Sequence, residues 1–120
     1  RIIFPEIPKD HPAIGYISSN IVMNMLGLGN AATPFGIKAM EKLKELNKNK
    51  DVASRSMITF LVINTSSVTI IPTTVISLRL LHGSIDASEI IPVTILTTFI
   101  STFIALILDR IFYLVWRKTW

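Results

Sequence analysis

Two uncharged stretches of this sequence carry amide and hydroxyl side chains among apolar residues. Asn24 and Asn64 stand out, because an amide both donates and accepts hydrogen bonds. A buried amide without a partner costs about 1 to 3 kcal/mol, so such groups must meet each other, water or a ligand. The polar side chains of the two stretches are Asn20, Asn24, Asn30 and Thr33 in the first, and Asn64, Thr65, Ser66, Ser67, Thr69, Thr73 and Thr74 in the second. Their pattern predicts a binding site or a solute pathway.

Each polar stretch also contains residues that interrupt a helix. Residues 27–30, Gly-Leu-Gly-Asn, tolerate unusual backbone angles, and Pro72 cannot donate a hydrogen bond to the carbonyl of Val68. Broken helices leave free N–H and C=O groups, from which many secondary transporters build substrate and ion sites. We therefore predict that the two interrupted segments form one site. Its candidate residues are Asn24, Gly27, Gly29, Asn30, Thr33, Pro34, Asn64, Thr65, Ser66, Ser67, Pro72 and Thr73.

A purely structural role is the alternative interpretation of these side chains. Ser and Thr hydroxyls bond back to their own helices, and asparagines join helices to each other in membrane bundles. The protein would then be a scaffold that transports nothing. The sequence leaves both interpretations open, and we favour the pathway because both helix breaks coincide with polar clusters.

Other chemistries have weaker patterns in this chain. Residues 27–32 match the dinucleotide fingerprint G-x-G-x-x-A, with Asp51 near the expected ribose position, but no βαβ unit surrounds them. His11 and His82 stand alone in predicted solvated loops, so neither indicates a metal site. Asp109 is interpreted as the interfacial end of a helix in preference to a proton relay. Cysteine is absent, and hydrolase, P-loop and metalloprotease motifs do not occur, so we expect no enzyme activity, metal or cofactor.

The composition predicts an integral membrane protein. Half of the 120 residues are hydrophobic, and the mean hydropathy of +0.54 is too high for a soluble domain of this size. Residues 56–78 and 90–108 comprise 23 and 19 positions without a charged side chain, and about 20 helical residues cross a bilayer. The net charge of +4 arises from basic residues that flank these stretches without interleaved aromatics. We expect the lipid bilayer as a partner, and no nucleic acid.

Prolines, glycines and capping residues define the elements that would position the site. We predict an all-α, polytopic helical membrane protein with a re-entrant or broken-helix hairpin and two spanning helices. Thr33 and Pro34 would start an amphipathic helix, Asp51 would cap the next helix, and Asp86 with Glu89 would cap the last. The predicted parts are a connector at 1–12, a membrane-entering hairpin or helix at 13–33, an amphipathic cytoplasmic helix at 34–50, a broken membrane helix at 51–80, an external loop at 81–89 and a membrane helix at 90–116. Length alone does not decide whether 13–33 spans or re-enters, and we favour the hairpin.

The distribution of basic residues predicts the orientation in the membrane. Residues 38–55 contain six Lys or Arg, the part after Leu108 contains three, and residues 79–89 contain one. Basic loops stay in the cytoplasm, so the loop 38–55 and the C-terminus are expected there. The chain begins at Arg1 without Met, and two or three membrane elements could hardly cover the polar groups. We therefore expect further N-terminal helices or partner subunits.

Several uncommon sequence words, which together cover nearly the whole chain, resemble the spore maturation protein A family. The first are Phe4-Pro-Glu-Ile-Pro-Lys-Asp-His-Pro12 and Asn24-Met-Leu-Gly-Leu-Gly-Asn-Ala-Ala-Thr-Pro-Phe-Gly-Ile-Lys-Ala-Met40. The others are Thr59-Phe-Leu-Val-Ile-Asn-Thr-Ser-Ser67 and Ile70-Ile-Pro-Thr-Thr-Val-Ile76. The resemblance implies that the chain is the C-terminal part of the family's sequence, without the initial membrane helices.

The family is grouped with nucleoside recognition, or Gate, domains, which are similar to the gating part of concentrative nucleoside transporters and to membrane regions of ferrous-iron transporters. The resemblance implies a membrane protein of spore-forming bacteria, located in the cell or forespore membrane. It would act in maturation and dehydration of the spore core with a sister membrane protein, spore maturation protein B. Whether a small solute is transported stays open. The broken segments carry no aromatic pair or carboxylate that would indicate a nucleoside.

Overall fold

A computed structural model describes residues 2–49 and 51–119 of the chain. Those residues form α-helices and connecting segments, and no strand occurs among them. The predicted all-α class is thus confirmed. The helices, in chain order, are α1 (Pro12–Met25), α2 (Gly29–Leu46), α3 (Arg55–Ser66), α4 (Thr73–Leu81) and α5 (Ile90–Thr119). Arg1 of the predicted connector and Lys50, the last residue of the predicted amphipathic segment, lie outside the described residues.

The start of α1 is fixed by the connector that precedes it. Pro12 occupies the first helical turn, where a missing N–H costs nothing, and the His11 Nδ1 accepts a hydrogen bond from the Ala13 N–H at 3.2 Å. His11 lies in a loop, as predicted, but its ring is half-buried and caps α1 instead of standing free in solvent. Glu6 of the connector accepts hydrogen bonds from the N–H and the hydroxyl of Ser56 in α3.

A tight turn at Gly27 ends α1 and reverses the chain into α2. The Gly27 N–H donates to the Asn24 carbonyl, and the Leu28 N–H donates to the Met23 carbonyl at 2.9 Å. This pairing is the Schellman motif, which requires a left-handed residue at its centre, and Gly27 has a φ of +72°. The break predicted at residues 27–30 is therefore present but lies at 26–28, since α2 already begins at Gly29, and α1 and α2 pack against each other as a hairpin.

The predicted start of α2 was wrong. Thr33 is not its cap and Pro34 is not its first residue, because the helix begins at Gly29 and contains Pro34. Once the turn at Gly27 has redirected the chain, helical geometry resumes at once. Proline then removes only the N–H that would meet the carbonyl of Asn30, and the Thr33 hydroxyl donates to the Gly29 carbonyl at 3.1 Å. The local Thr-Pro signal was overridden by the neighbouring turn.

The hydrophobic core lies at the end of the hairpin away from this turn. Small side chains at Ala13 and Ala39 let α1 and α2 approach closely, and Phe60 of α3 is 1% exposed against them. Ile7, Ile17 and Leu43 complete the cluster. The opposite face of α2 carries the exposed ion pairs Lys38–Glu41 and Lys42–Glu45. Its predicted amphipathic character is confirmed, since apolar positions face the core and charges face outward.

An interruption separates α3 from α4, as Pro72 predicted. Helix α3 ends at Ser66, residues 67–72 are not helical, and α4 begins at Thr73. The predicted cap at Asp51 was wrong: Ser54 precedes the first residue of α3, and its hydroxyl accepts from the Met57 N–H at 3.3 Å. Serine can cap here because it sits in extended backbone directly before the helix.

Helix α5 runs antiparallel to α3 and the segment that follows it. The order of contacts establishes this direction, since Arg55 meets Asp109, and Thr69 meets Thr98. Asp86 does not cap α5, which begins four residues later. Its carboxylate instead accepts from the Ser88 N–H at 2.9 Å in the preceding turn.

Among the described residues, one helix is long and apolar enough to cross a membrane. Its span, Ile90–Arg117, has 28 residues with a mean hydropathy of 2.3 in its most apolar part. The expected polytopic arrangement with two full crossings is not confirmed, because the helix break divides the second apolar stretch into helices of 12 and 9 residues. At 1.5 Å per residue, neither reaches across a bilayer core of about 30 Å alone.

Candidate functional site

The two helix breaks are in direct contact. Backbone N–H groups of Ile70 and Ile71, in the unwound segment 67–72, donate to the carbonyl of Met25 at 2.8 and 3.2 Å. The Thr73 hydroxyl donates to the Gly27 carbonyl at 2.9 Å. The ends of α1 and α3 and the starts of α2 and α4 therefore converge on one region, as the sequence predicted for the two interrupted segments.

Gly27 permits the close approach of the two breaks. A Cβ atom at this position would lie 2.3 Å from the Ile71 carbonyl oxygen and 2.8 Å from the Thr73 hydroxyl. No side chain fits there, and the positive φ independently favours glycine. Gly29, by contrast, has no atom within 4 Å of the corresponding position. The two glycines of the G-x-G word therefore have different roles.

A chain of amide side chains links α2, α1 and α3. The Asn24 Nδ2 donates to the Asn64 Oδ1 at 2.9 Å and lies 3.4 Å from the Asn20 Oδ1. The Asn20 Nδ2 donates to the Ala32 carbonyl at 2.8 Å, and Asn20 is 3% exposed. Gly36 makes room for this amide, since a Cβ there would lie 2.8 Å from the Nδ2. Asn20 was not among the candidate site residues, although it stands four residues before Asn24 on the same helical face.

Three threonines of α5 form a stripe along the unwound segment. The Thr69 N–H donates to the Thr98 hydroxyl at 3.1 Å, and the Thr102 hydroxyl donates to the Ser66 carbonyl. Thr98 in turn donates to the Thr94 carbonyl at 2.7 Å. None of these three threonines was among the predicted site residues. The signal of this stripe is the four-residue spacing of Thr94, Thr98 and Thr102, which places all three on one face of a helix.

An open cleft of about 330 Å³ lies where the breaks meet. Six of the predicted site residues line it, namely Asn24, Gly27, Gly29, Ser67, Pro72 and Thr73. Three further hydroxyls, from Thr69, Thr74 and Thr94, also line it. A smaller, mostly apolar cavity of about 170 Å³ adjoins the amide pair and includes Asn64. Asn24 and Ser67 line both spaces, so they stand between them.

The remaining predicted residues point elsewhere. Asn30, Thr33 and Pro34 are exposed on the first turns of α2 and line neither space. The hydroxyls of Thr65 and Ser66 donate to carbonyls of the preceding turn of α3, including that of Val62 at 3.0 and 2.7 Å. These two side chains therefore bond back to their own helix, as the structural interpretation expects.

A buried ion pair joins the other ends of α3 and α5. Arg55 donates to both carboxylate oxygens of Asp109, and the Thr59 hydroxyl donates to the same carboxylate at 3.2 Å. The guanidinium also lies 4.5 Å from the ring centre of Tyr113, in cation–π geometry. The prediction of Asp109 as a helix end was wrong, because α5 continues to Thr119 and the carboxylate is 5% exposed. Its partner stands 54 residues away in sequence, where no local pattern reveals it.

Charged groups stay away from the cleft. No Asp, Glu, Lys, Arg or His is among the described residues that line it. Within the described part of the chain, no group of three such acidic or histidine side chains could hold a metal ion. The walls offer amides, hydroxyls and backbone groups, so this region can form hydrogen bonds but has no evident acid, base or nucleophile pair for covalent chemistry.

Comparisons with known proteins identify one close relative. The chain is 59% identical over 111 residues to spore maturation protein A of Bacillus subtilis strain 168. The matched region is 92% of this chain but 57% of the relative, so the chain spans little more than half of that protein's length. No protein-family model matches the sequence, and no solved structure matches it.

Proposed function

The chain belongs to the spore maturation protein A family, and from this premise we propose that it acts in spore maturation as a non-enzymatic membrane protein. In this proposal, the two helix breaks form a pathway or binding site for a small solute. The process that it serves is dehydration of the spore core. A sister membrane protein of the spore maturation protein B type completes the assembly.

The membrane part of the proposal is supported by the surface of α5. Most of its large apolar side chains are exposed, and no residue in the most apolar part of the span is buried. Large apolar surfaces of this extent need lipid or a partner protein. We place the loop 38–55 and the C-terminus in the cytoplasm, since most basic residues lie there.

The observation that carries the pathway is the contact between the two breaks. An isolated break could be a local irregularity, but here Met25 and Gly27 of one break bind Ile70, Ile71 and Thr73 of the other. Discontinuous helices that meet inside a membrane protein commonly surround a substrate or ion. Irregular backbone is tolerated at membrane depth where it lines a cavity or is covered by protein, and both conditions are met by the cleft and by α5.

A partner is supported by polar side chains that the described residues leave uncovered. Asn30, Thr33 and Thr65 are exposed. The two threonine hydroxyls donate to carbonyls of their own helices, but the Asn30 amide has no partner among the described residues, and lipid cannot supply one. A second membrane protein, or a further part of the full-length relative, would cover them. The cleft is also open on one side, so a pathway needs another wall.

The second candidate function is a membrane scaffold without transport. It is favoured by the hydroxyls of Thr33, Thr65 and Ser66, which bond to carbonyls of their own helices. It is also favoured by the amides of Asn24 and Asn64, which bond to each other. In a scaffold these groups hold helices together and nothing passes between them.

Substitution of the amide pair separates the two functions. In a spore-forming host carrying the full-length protein, Asn24→Ala and Asn64→Ala should impair core dehydration, measured as spore density, while membrane abundance stays at the wild-type level. Asn49→Ala, an amide in an exposed turn, is the matched control and should leave both unchanged. Abundance and spore density that fall together in both amide variants would favour the scaffold.

A further inference from the structure

This inference rests on the proposed function. It adds the class of solute, which follows from the chemistry of the cleft walls. We infer that the cleft accepts a small, uncharged, non-aromatic solute rich in hydroxyl or amide groups, such as a linear polyol. Four features of the walls lead there. Among the described lining residues, they are the absence of charge, the state of the carbonyl oxygens, the free hydroxyl groups and the absence of aromatic rings.

A charged solute finds no counter-charge in this cleft. Moving an ion out of water without a partner costs several kcal/mol, and the described lining residues carry no charged side chain. Helix ends do not supply a net charge either. Helices α1 and α3 end here with their negative poles, whereas α2 and α4 begin here with their positive poles, so the four contributions oppose each other.

The backbone oxygens argue against a cation in particular. Cation sites in broken membrane helices use free carbonyl groups at helix ends. Here the last four carbonyls of α1, at residues 22–25, already accept hydrogen bonds from the backbone, and the Gly27 carbonyl accepts from Thr73. The Ser66 carbonyl at the end of α3 accepts from Thr102. An alkali ion bound to any of these oxygens would have to compete with the donor already there.

The hydroxyl groups remain free to bind a solute. The side chains of Ser67, Thr69, Thr74 and Thr94 have no hydrogen-bond partner among the described residues, yet all four face the cleft. The Asn24 Oδ1 is similarly without a donor in the described part of the chain. Each hydroxyl both donates and accepts, which matches a solute whose own hydroxyls do the same.

The walls offer no surface for stacking a ring. Val75 and Pro72 are the apolar side chains that line the cleft, and neither is aromatic. Selective binding of a planar base usually uses an aromatic or guanidinium face. The aromatic side chains of α5 near this level, Phe99 and Phe103, are about 60% exposed on its outer faces. The cleft is therefore suited to an aliphatic polyol and not to a nucleoside.

Flux measurements with matched probes test this inference. The full-length protein and its sister membrane protein are reconstituted together in lipid vesicles, which are loaded in turn with ribitol, uridine, ribose 5-phosphate or sodium ion. Ribitol is a linear five-carbon polyol, uridine closes the same number of carbons into a furanose ring that carries an aromatic base, and ribose 5-phosphate adds charge. We expect protein-dependent flux of ribitol, and rates at the empty-vesicle level for the other three.

Hydroxyl substitutions connect the flux to the cleft. Thr69→Val and Thr94→Val keep the shape of the side chain and remove its hydrogen bonds, so each should lower ribitol flux about two- to tenfold. Thr97→Val is the matched control, because Thr97 is exposed on α5 outside the cleft. It should transport ribitol at the wild-type rate.

The possible failures are distinguishable. Flux of uridine, ribose 5-phosphate or sodium that equals or exceeds that of ribitol would overturn the inferred solute class and leave the proposed pathway standing. Ribitol flux insensitive to both Thr69→Val and Thr94→Val would overturn the assignment of the cleft. Absence of flux for all four probes, with both proteins present in the vesicles, would contradict the proposed pathway and this inference with it.

Discussion

Arg55, the first residue of α3, donates two hydrogen bonds to the carboxylate of Asp109 in α5, at 2.8 Å from Nη1 and 2.5 Å from Nη2. Both side chains are at least nine-tenths buried. The pair fixes one end of the α3–α5 contact, and the threonine stripe fixes the other. The unwound segment therefore lies against a helix that is anchored on both sides of it.

Removal of one member of this ion pair should destabilise the protein strongly. Asp109→Ala leaves a buried guanidinium without its counter-ion, and we expect a loss of about 3 to 5 kcal/mol in the free energy of unfolding. Denaturant unfolding of the purified protein in detergent measures it. The double variant Arg55→Met/Asp109→Leu removes both charges and should regain most of the loss. Thr59→Val, which deletes one hydrogen bond to the same carboxylate, should cost about 1 kcal/mol. Equal effects of Asp109→Ala and Thr59→Val would contradict this account.

The three glycines at turns and helix starts should respond differently to alanine. Gly27→Ala combines a left-handed backbone, worth about 1 to 2 kcal/mol, with a clash against the Ile71 carbonyl. Gly83→Ala has the same backbone problem, at a φ of +76°, in open space. Gly29→Ala has neither. Melting temperatures should therefore fall most for Gly27, less for Gly83 and not at all for Gly29. A Gly83 variant as unstable as the Gly27 variant would show that contact between the breaks contributes nothing.

Gly36 and Asn20 should be energetically coupled. The effect of Gly36→Ala on stability should change sign when Asn20 is replaced. Alanine is a better helix former than glycine by about 1 kcal/mol, but a Cβ at position 36 presses on the Asn20 amide. We expect Gly36→Ala to destabilise the wild-type protein and to stabilise the Asn20→Ala variant. A double-mutant cycle by thermal unfolding measures the coupling, expected at about 0.5 to 3 kcal/mol. Additive effects would mean that the amide does not occupy this contact.

Acid should weaken the turn before α5 through Asp86. The hydrogen bond from the Ser88 hydroxyl, followed by that from the Ser88 N–H, lowers the pKa of the Asp86 carboxyl. A lowered folded-state pKa means that the ionised form contributes stability above the unfolded pKa of about 4. That contribution is lost as the pH falls through the folded-state pKa. The wild-type melting temperature should therefore drop more steeply below pH 4 than that of Asp86→Asn, which keeps an acceptor that does not titrate. Parallel curves would contradict the assignment.

Local sequence signals predicted the breaks but misplaced several helix starts. Gly27 and Pro72 act through their own backbone restrictions, so their effects could be read from the sequence. Capping signals compete with each other. Ser54 caps α3 in place of Asp51, and α2 begins directly after the turn at Gly27, before Thr33 could cap it. The residue that caps a helix is the one that has extended backbone directly before it, and that conformation depends on the surrounding chain.

The composition of the site was predictable in part. Contact between the two interrupted segments followed from their shared polar character, since neither could be satisfied alone. The pairing of Arg55 with Asp109 did not, because it depends on how α3 and α5 pack across 54 residues of sequence. The threonine spacing in α5 was visible in the sequence, but the sequence did not show that these threonines contact the unwound segment. Which hydroxyls bond back to their helix and which face the cleft is likewise set by tertiary packing.

The hydrogen bonds from α5 to the unwound segment also determine the order in which this region can assemble. The Ser66 carbonyl and the Thr69 N–H are made about 30 residues before the threonines that bind them. During synthesis, these backbone groups leave the ribosome before Thr98 and Thr102, the partners that they have in the folded protein. The break in the helix is therefore completed by a helix that is translated after it, and a ribosome paused before Thr98 holds a chain in which these two hydrogen bonds cannot yet form.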